Sequence, residues 1–249
     1  MHAIPEQCAT LINEAQNISV LTGAGISTNA GIPDFRGPKG LYVTRQYDPD
    51  RVFDIEYFLQ DPYPFYEFAR DFIGLEQTIK PTFTHKFLAA LENAGRLRGI
   101  VTQNIDSLHQ KAGSEHVYEM HGSFWKSHCL ECGQAFTYSW MKGALKNPGT
   151  PRCVCGGLIK PDIVFFGENV KHLPEASQLA HESDLFLVIG SSCVVYPAAM
   201  VPTLANGKIV IINKGAVHLD CYNISLTVDE DADAFLKQVA ASLKIKVAP

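Results

Sequence analysis

The stretch NISVLTGAGIS, residues Asn17–Ser27, decides the fold expected of this chain. Its first half is short, apolar and β-branched, which predicts a buried strand over Asn17–Thr22. The strand runs directly into Gly23-Ala24-Gly25-Ile26-Ser27, where glycine allows a tight turn close to a pyrophosphate at the start of the next helix. Only the first half of a GxGxxG fingerprint is present, because position 28 is Thr. This loop alone therefore favours an ordinary strand-to-helix turn over cofactor binding.

Further short apolar runs alternate with amphipathic segments on both sides of this loop. Strands are predicted at Arg98–Gln103, His116–Met120, Asp184–Ile189, Lys208–Ile212 and Ile224–Leu226. Helices are predicted at Pro5–Gln16, Thr84–Asn93, Glu175–Glu182 and Asp233–Leu243. Strands separated by helices favour an α/β fold, with a Rossmann-type parallel sheet and helices on both of its faces.

Two segments interrupt the alternation and predict a smaller lobe. Residues 31–79 are aromatic and helical, and residues 123–160 contain a cysteine cluster with turn signals. We therefore expect a helical module at 31–79 and a zinc-ribbon module at 123–160 to form the small domain. Residues 1–30, 80–122 and 161–249 are expected to form the Rossmann-type domain.

The composition is that of an ordinary globular protein. Apolar residues make up 46% and charged residues 19% of the 249 residues, with a net charge of -5. No run of Lys and Arg exceeds two residues, so no nucleic-acid footprint is visible. The N-terminus lacks a signal-peptide pattern, and no apolar run reaches the ~18 residues of a membrane span. Because the seven cysteines do not form an even disulfide framework, we expect a cytoplasmic protein.

Four of the cysteines have metal-ligand spacing. Cys129-Leu130-Glu131-Cys132 is followed after 20 residues by Cys153-Val154-Cys155. Two thiolate pairs at this spacing indicate a closed, structural zinc site, with one zinc ion per chain. The second pair is CxC rather than CxxC, which leaves its turn geometry less defined. The alternative is four reduced structural cysteines, or a disulfide pair.

Polar residues follow several predicted strands, where open parallel sheets bind ligands. Gln103-Asn104-Ile105-Asp106 ends the second strand, and His121-Gly122 follows the third. His121 is equally compatible with a catalytic base and a structural histidine, whereas His85 and His109 lie in helical stretches and are expected to be structural.

Three further groups are candidates for binding a phosphate or a ribose. Gly190-Ser191-Ser192 and Asn213-Lys214 end later strands and offer hydroxyls and amides. In the segment Gly31–Gly37, Arg36 could bind phosphate and Phe35 could cover a cofactor ring. An ordinary turn with a buried Phe explains that segment equally well.

Together the motifs resemble the sirtuin family. The order is what carries the resemblance, and it extends over roughly residues 10–240. The motifs in that order are GAGIS at 23–27, GIPDFR at 31–36, TQNID at 102–106, HG at 121–122, the two cysteine pairs, VFFGE at 164–168, GSS at 190–192 and Asn213.

The resemblance implies a role for each motif. The implied NAD-binding residues are Gly23, Ala24, Gly25, Ser27, Phe35, Arg36, Gln103, Asn104, Ile105, Asp106, His121, Gly190, Ser191, Ser192, Asn213, Lys214 and Asp231. The resemblance also makes His121 the general base, with Asn104 as a second catalytic residue. Val164, Phe165, Phe166 and Gly167 would flank the acyl-lysine and pair with the substrate peptide as an added strand. Cys129, Cys132, Cys153 and Cys155 would hold the structural zinc.

The implied reaction is NAD-dependent deacetylation of protein lysines by a monomeric enzyme. Its products would be nicotinamide, O-acetyl-ADP-ribose and free lysine. Sirtuins that prefer acidic acyl groups carry a Tyr and an Arg three residues apart, and that pair is missing from the matching segment 66–72. Longer neutral acyl groups and protein ADP-ribosylation remain open. Outside the family, an NAD-dependent oxidoreductase and a zinc-ribbon adaptor without turnover are the alternatives.

Overall fold

The computed structural model describes residues 3–34, 47–76 and 79–248, which divide into two compact units. The first unit comprises the described residues of Met1–Ile32, Lys80–Met120 and His172–Pro249. The second comprises the described residues of Pro33–Ile79 and His121–Lys171.

Unit 1 is built on a six-stranded parallel sheet. Its strands are β1 (Ile18–Thr22), β2 (Leu97–Thr102), β3 (Val117–Glu119), β7 (Leu185–Ile189), β8 (Lys208–Ile212) and β9 (Ile224–Val228). They lie in the order β3-β2-β1-β7-β8-β9. This is a doubly wound order. β1, β2 and β3 follow one another towards one edge of the sheet, and β7, β8 and β9 follow one another from β1 towards the other edge, so the strand order reverses between β1 and β7. Ligands bind at such a switch point, beyond the carboxyl ends of the strands.

Helices cover both faces of this sheet. They are α1 (Ile4–Glu14), α5 (Phe83–Asn93), α6 (Leu108–Lys111), α8 (Leu173–Glu182) and α9 (Ala232–Leu243). On one face Val20 and Leu187 pack with residues of α1, α5 and α9 in the main core. On the other face Leu21 and Val188 are equally buried, as is Ala180 of α8. The predicted fold class is confirmed. Both ends of each predicted strand and helix of this unit lie within two residues of the ends of an observed one.

Unit 2 combines short helices with an antiparallel sheet. The helices are α2 (Pro49–Val52), α3 (Ile55–Gln60), α4 (Tyr63–Glu76) and α7 (Tyr138–Ala144). The strands β4 (Gly122–Cys129), β5 (Ala135–Thr137) and β6 (Ile159–Ile163) lie in the order β5-β4-β6. Aromatic rings join the two parts, since Phe65 of α4 stacks on Phe124 of β4 at 6.3 Å between ring centroids.

The observed boundaries between the units differ from the predicted ones at three junctions, the first of which places Gly31 and Ile32 in unit 1 rather than in the helical module. Residues 161–171, together with His121 and Gly122, fall in unit 2 rather than in the Rossmann-type part. The reason is that β6 pairs antiparallel with β4, with Gly122 opposite Ile163 and Cys129 opposite Ile159. Across the described ranges, none of the helices is long and apolar enough to cross a membrane.

Candidate functional site

The glycine loop after β1 touches the end of β7. The amide of Gly23 donates to Ile189 O at 3.1 Å, and that of Gly25 donates to Gly190 O at 2.9 Å. A Cβ on Gly23 would lie 2.7 Å from Gly190 O, and one on Gly25 would lie 2.8 Å from Gly190 Cα. Glycine is therefore required here by the contact between two strand ends, whether or not a pyrophosphate also approaches.

The loop continues into two short 3-10 turns, Ala24–Ile26 and Thr28–Ala30, instead of the expected helix. The amide of Ile26 donates to Gly23 O at 3.2 Å, and that of Ser27 donates to Ala24 O at 3.0 Å. The amides of Ile26 and Ser27 thus already donate within the loop.

A buried polar cluster lies directly beside the loop. Ser27 Oγ donates to Asp106 Oδ2 at 2.6 Å, and Asn104 Nδ2 donates to both Ser27 Oγ and Gly23 O at 3.2 Å. The other oxygen of Asp106 accepts the Leu108 amide at 2.9 Å. Burial raises the pKa of Asp106, and the hydrogen bond from Ser27 opposes that change. The cluster fixes an amide and a carboxyl group at the switch point of the sheet.

The neighbouring strand ends extend this cluster. Gln103 Nε2 donates to Ser191 Oγ at 2.9 Å, which joins the ends of β2 and β7. At the end of β8, Asn213 Nδ2 donates to Gly215 O at 3.2 Å, and Lys214 is exposed. Asp231 caps α9 by accepting the Ala234 amide at 2.9 Å, and it also accepts a hydrogen bond from Asn29.

The structure therefore brings together most of the predicted NAD-binding residues of unit 1. Those joined directly by contacts are Gly23, Gly25, Ser27, Gln103, Asn104, Asp106, Gly190 and Ser191. Ala24, Ile105 and Ser192 lie in the same loops, and Asn213 and Lys214 follow the next strand. Phe35 and Arg36 lie outside the described residues.

A second buried network lies beneath the glycine loop, and sequence reasoning did not connect its members. Thr22 Oγ1 and His109 Nε2 are 2.9 Å apart, and Thr82 Oγ1 donates to Ile26 O at 3.0 Å. His85 Nδ1 accepts the Thr82 amide at 3.2 Å. Burial lowers the pKa of His85 to about 3 and that of His109 well below its usual value. Both rings are neutral at physiological pH, in agreement with a structural role.

His121 and Gly122 stand at the first turn of unit 2 after β3. The carbonyl of His121 accepts the Val164 amide at 2.9 Å. Gly122 has a φ of +67°, and a Cβ there would lie 1.8 Å from Asp162 O. Close contact with β6 thus dictates glycine beside the half-buried His121.

The segment after β6, Val164–Gly167, is held by backbone contacts within unit 2. The Phe166 amide donates to Phe53 O at 2.7 Å, and its carbonyl accepts the Ile55 amide at 3.1 Å. The Phe165 side chain is buried, whereas Phe166 is 44% exposed. Since the amides of residues 164–166 all donate within the unit, an added strand would have to pair with other backbone groups of this segment.

The four clustered cysteines meet at one point. Their sulfur atoms all lie within 4.8 Å of one another, with Cys129 and Cys155 at 3.5 Å and Cys132 and Cys153 at 3.7 Å. A tetrahedron with Zn–S bonds of about 2.3 Å has S–S edges of about 3.8 Å, so the set fits zinc. The backbone amide of Cys132 contributes most to lowering the pKa of Cys129 to about 7, which favours the thiolate that binds metal.

The unusual CxC pair is accommodated by glycine. Gly156 adopts a φ of +89°, and its amide donates to Cys153 O at 2.9 Å, which closes the second turn. A Cβ on Gly157 would lie 2.7 Å from Cys129 Sγ. Sequence reasoning missed Gln134, whose Oε1 accepts a hydrogen bond from Cys153 Sγ at 3.4 Å. Its place two residues after Cys132 was the available signal.

Comparison with known proteins agrees with this arrangement. The model of the Sir2 family matches residues 23–197, which include the glycine loop, the polar cluster, His121 and all four clustered cysteines. The chain belongs to the Sir2 family. Asn213, Lys214 and Asp231 lie beyond the matched range, so their proposed roles depend on the resemblance of the motifs alone.

Relatives within the Sir2 family cover nearly the whole chain. The NAD-dependent protein deacetylase of Thermotoga maritima is 44% identical over 216 residues, covering 84% of this chain and 87% of that protein. The protein of the same name from Sulfurisphaera tokodaii is 44% identical over 228 residues, covering 90% and 89%.

Solved Sir2 structures share the fold. One variant holding a deacetylated p53 peptide and 3'-O-acetyl ADP ribose gives a TM-score of 0.91 at 40% identity, covering 98% of this chain and 100% of that one. Another, with a p53 peptide and NAD+, gives 0.86 at 41% identity, covering 94% and 96%.

Proposed function

We propose that this Sir2-family chain is an NAD-dependent protein lysine deacetylase. It transfers the acetyl group of acetyl-lysine to ADP-ribose and releases nicotinamide, O-acetyl-ADP-ribose and free lysine. The observation that carries the proposal is the buried Ser27–Asp106–Asn104 cluster at the switch point of a doubly wound sheet. The names of its relatives point to the same activity.

Unit 1 supplies groups suited to NAD. Asn104 and Asp106 offer an amide and a carboxyl group, which suit the carboxamide of nicotinamide and the adjoining ribose. Gly190, Ser191 and Ser192, followed by Asn213 and Lys214, offer hydroxyl, amide and ammonium groups for the adenosine half. NAD supplies the ADP-ribose that accepts the acetyl group. The residues of the chain orient it and exclude water, which suits a step that develops positive charge on the sugar.

His121 is the proposed general base. An imidazole titrates near neutral pH, so it can accept a proton from a ribose hydroxyl and release it again. Val164–Gly167 are the proposed residues that bind the acyl-lysine peptide. The four cysteines hold a structural zinc that stabilises the sheet β5-β4-β6 and takes no part in the chemistry. Because these four thiols bind zinc only when reduced, we infer that the protein works in the cytoplasm.

The proposal is tested by incubation with NAD and an acetyl-lysine peptide, followed by mass spectrometry of all products. Nicotinamide is expected only when the acetylated peptide is present. Formation of NADH would instead indicate an oxidoreductase, and ADP-ribose attached to the protein or peptide would indicate ADP-ribosylation. Binding without any product would indicate an adaptor, and each of these outcomes would contradict deacetylation.

His121→Ala is expected to lower turnover by about 10²–10⁴-fold, because a positioned general base contributes that much. Zinc content and thermal stability should match the wild type, since the side chain is only half-buried. His218→Ala, at an exposed histidine, is the matched control and should keep its activity. Wild-type turnover in the His121 variant would remove this residue from the mechanism.

Acetyl and other neutral acyl groups are the expected substrates. Within the segment 66–72 the one arginine, Arg70, donates its guanidinium to the carbonyls of Leu145 and Asn147 at 3.3 Å. It is thus already engaged by main-chain acceptors rather than free to pair with an acidic acyl group. We expect slower turnover of succinyl-lysine than of acetyl-lysine peptides of identical sequence. A higher kcat/KM on the succinyl peptide would overturn this preference.

A further inference from the structure

Unit 2 contains a lysine that is almost completely buried. Lys160 lies in β6, and its side chain is only 2% exposed. Its ammonium donates to Ile163 O at 2.5 Å and to Glu168 Oε2 at 2.8 Å, and lies 4.0 Å from the ring centroid of Phe165. Burying an ammonium is costly unless it is paired and hydrogen-bonded. The partners that offset this cost are the last residue of β6, Ile163, and two residues of the turn that follows it, Phe165 and Glu168.

One carboxylate oxygen of Glu168 closes that turn. It accepts hydrogen bonds from both the Lys160 ammonium and the Phe165 amide, each at 2.8 Å. The Glu168 amide donates in turn to Phe165 O at 3.0 Å. A second ion pair, between Asp162 and Lys171, spans the same turn on its outer side. Lys171 and Asp162 are 33% and 39% exposed, so water and salt screen that pair.

The turn held by Lys160 is the segment proposed to bind the peptide. Ile163, Phe165 and Glu168 contact the lysine or its carboxylate partner directly, and Val164 donates to His121 O. The ammonium therefore organises the backbone of Val164–Gly167 and, through one hydrogen bond, the backbone of His121.

We propose that Lys160 is a positioning residue for the acyl-lysine peptide, and that its ammonium, clamped by Glu168 and Ile163 O, holds Val164–Gly167 in the conformation that binds the substrate. The inference deepens the proposed function and rests on it, because the peptide is expected to bind this segment. Lys160 itself does not touch the reacting atoms.

Stability alone does not explain such a residue. A buried ion pair adds little net stability compared with a well-packed apolar side chain of similar volume. The ion pair instead fixes the position of the turn relative to β6, because the Lys160 ammonium donates hydrogen bonds to both Ile163 O and Glu168 Oε2. Lys160→Met should therefore fold, and its main defect should be in peptide binding.

The test compares Lys160→Met with Lys171→Met, which removes the exposed lysine of the outer pair. In Lys160→Met, KM for the acetyl-lysine peptide should rise about tenfold while kcat and KM for NAD stay near the wild type, the pattern of lost substrate binding. Lys171→Met should change KM for the peptide by less than about twofold. Glu168→Met, which removes the acceptor of both hydrogen bonds at a partly exposed position, should reproduce the effect of Lys160→Met if that variant folds poorly.

Hydrogen exchange supplies a readout that does not depend on catalysis. The amides of Val164, Phe165 and Phe166 should be protected in the wild type and exchange faster in Lys160→Met. If the wild type releases no nicotinamide, the proposed function fails, and faster exchange still supports the clamp. Unchanged exchange in both Lys160→Met and Glu168→Met would overturn the clamp. An unchanged KM for the peptide would also overturn it. So would a lower kcat together with a higher KM for both the peptide and NAD and a lower Tm, because that combination indicates general destabilisation.

Discussion

Individual residues of this chain often take their roles from contacts far away in the sequence. Ser27 and Asp106, which share the shortest hydrogen bond of the polar cluster, are 79 positions apart. His85 and His109 lie with their ring centroids 4.8 Å apart. Within the described residues, His85 Nε2 and His109 Nδ1 have no hydrogen-bond partner. This histidine pair thus remains neutral because a charge would be buried without compensation.

The histidine pair predicts a specific loss of stability in acid. Burial lowers the pKa of His85 to about 3, so below about pH 6.5 the unfolded chain binds a proton that the folded protein does not. The free energy of unfolding therefore decreases as the pH falls from about 6.5 towards about 3. Between pH 7 and pH 5 the contribution of His85 amounts to about 2 kcal/mol.

Urea unfolding at the two pH values measures this contribution. His85→Gln keeps an acceptor for the Thr82 amide in a capping position but does not titrate. It should lose about 2 kcal/mol less than the wild type between pH 7 and pH 5. His181→Gln, at an exposed position of α8, should behave like the wild type. An equal loss in the wild type and His85→Gln would contradict the account.

At the scale of elements, the strands of unit 1 could be predicted, whereas the three strands of unit 2 were not, and the edge strand β6 shows why. Segments such as Leu185–Ile189 are continuous apolar runs, and this pattern is typical of strands that are buried on both faces of a sheet. β6, with the sequence IKPDI, is not among the predicted strands, because Lys160, Pro161 and Asp162 break any apolar run. Its place at the edge of the sheet tolerates the proline, and pairing with β4 moves it into unit 2.

Removal of one zinc ligand is expected to disorder only the antiparallel sheet β5-β4-β6 of unit 2. Cys129 ends β4, and its amide and carbonyl bond to Gln134 and Gly133 around the first metal turn. Structural zinc binding is coupled to folding and supplies on the order of 10 kcal/mol in zinc-finger peptides. Cys129→Ser should therefore abolish zinc binding and hydrogen-exchange protection in β4 and β5.

Elemental analysis and hydrogen exchange of the purified variant would show this. Cys221→Ser, which removes a half-buried cysteine of unit 1, is the control and should retain one zinc per chain. Full zinc content and a protected β4–β5 pair in Cys129→Ser would show that the cluster is not a structural metal site.

At the scale of the whole molecule, the order of motifs identified the family although each motif was weak by itself. GAGIS showed half a fingerprint, and His121 was equally compatible with a structural histidine. The sequence pattern did not predict the contacts between residues that are far apart along the chain. Nothing in the sequence showed that Gly23 and Gly25 meet Gly190, or that a lysine between Ile159 and Pro161 would be buried. Local pattern reports local structure, whereas these features depend on which strand ends pack together.

The central claim is that this Sir2-family protein moves the acetyl group of a lysine onto ADP-ribose. The most direct measurement follows an isotope-labelled acetyl group on a lysine peptide during incubation with NAD. We predict that the label appears in O-acetyl-ADP-ribose as the peptide loses it, in equal amounts with released nicotinamide. Label that stays on the peptide while NAD is consumed, or that appears first as free acetate, would contradict the account.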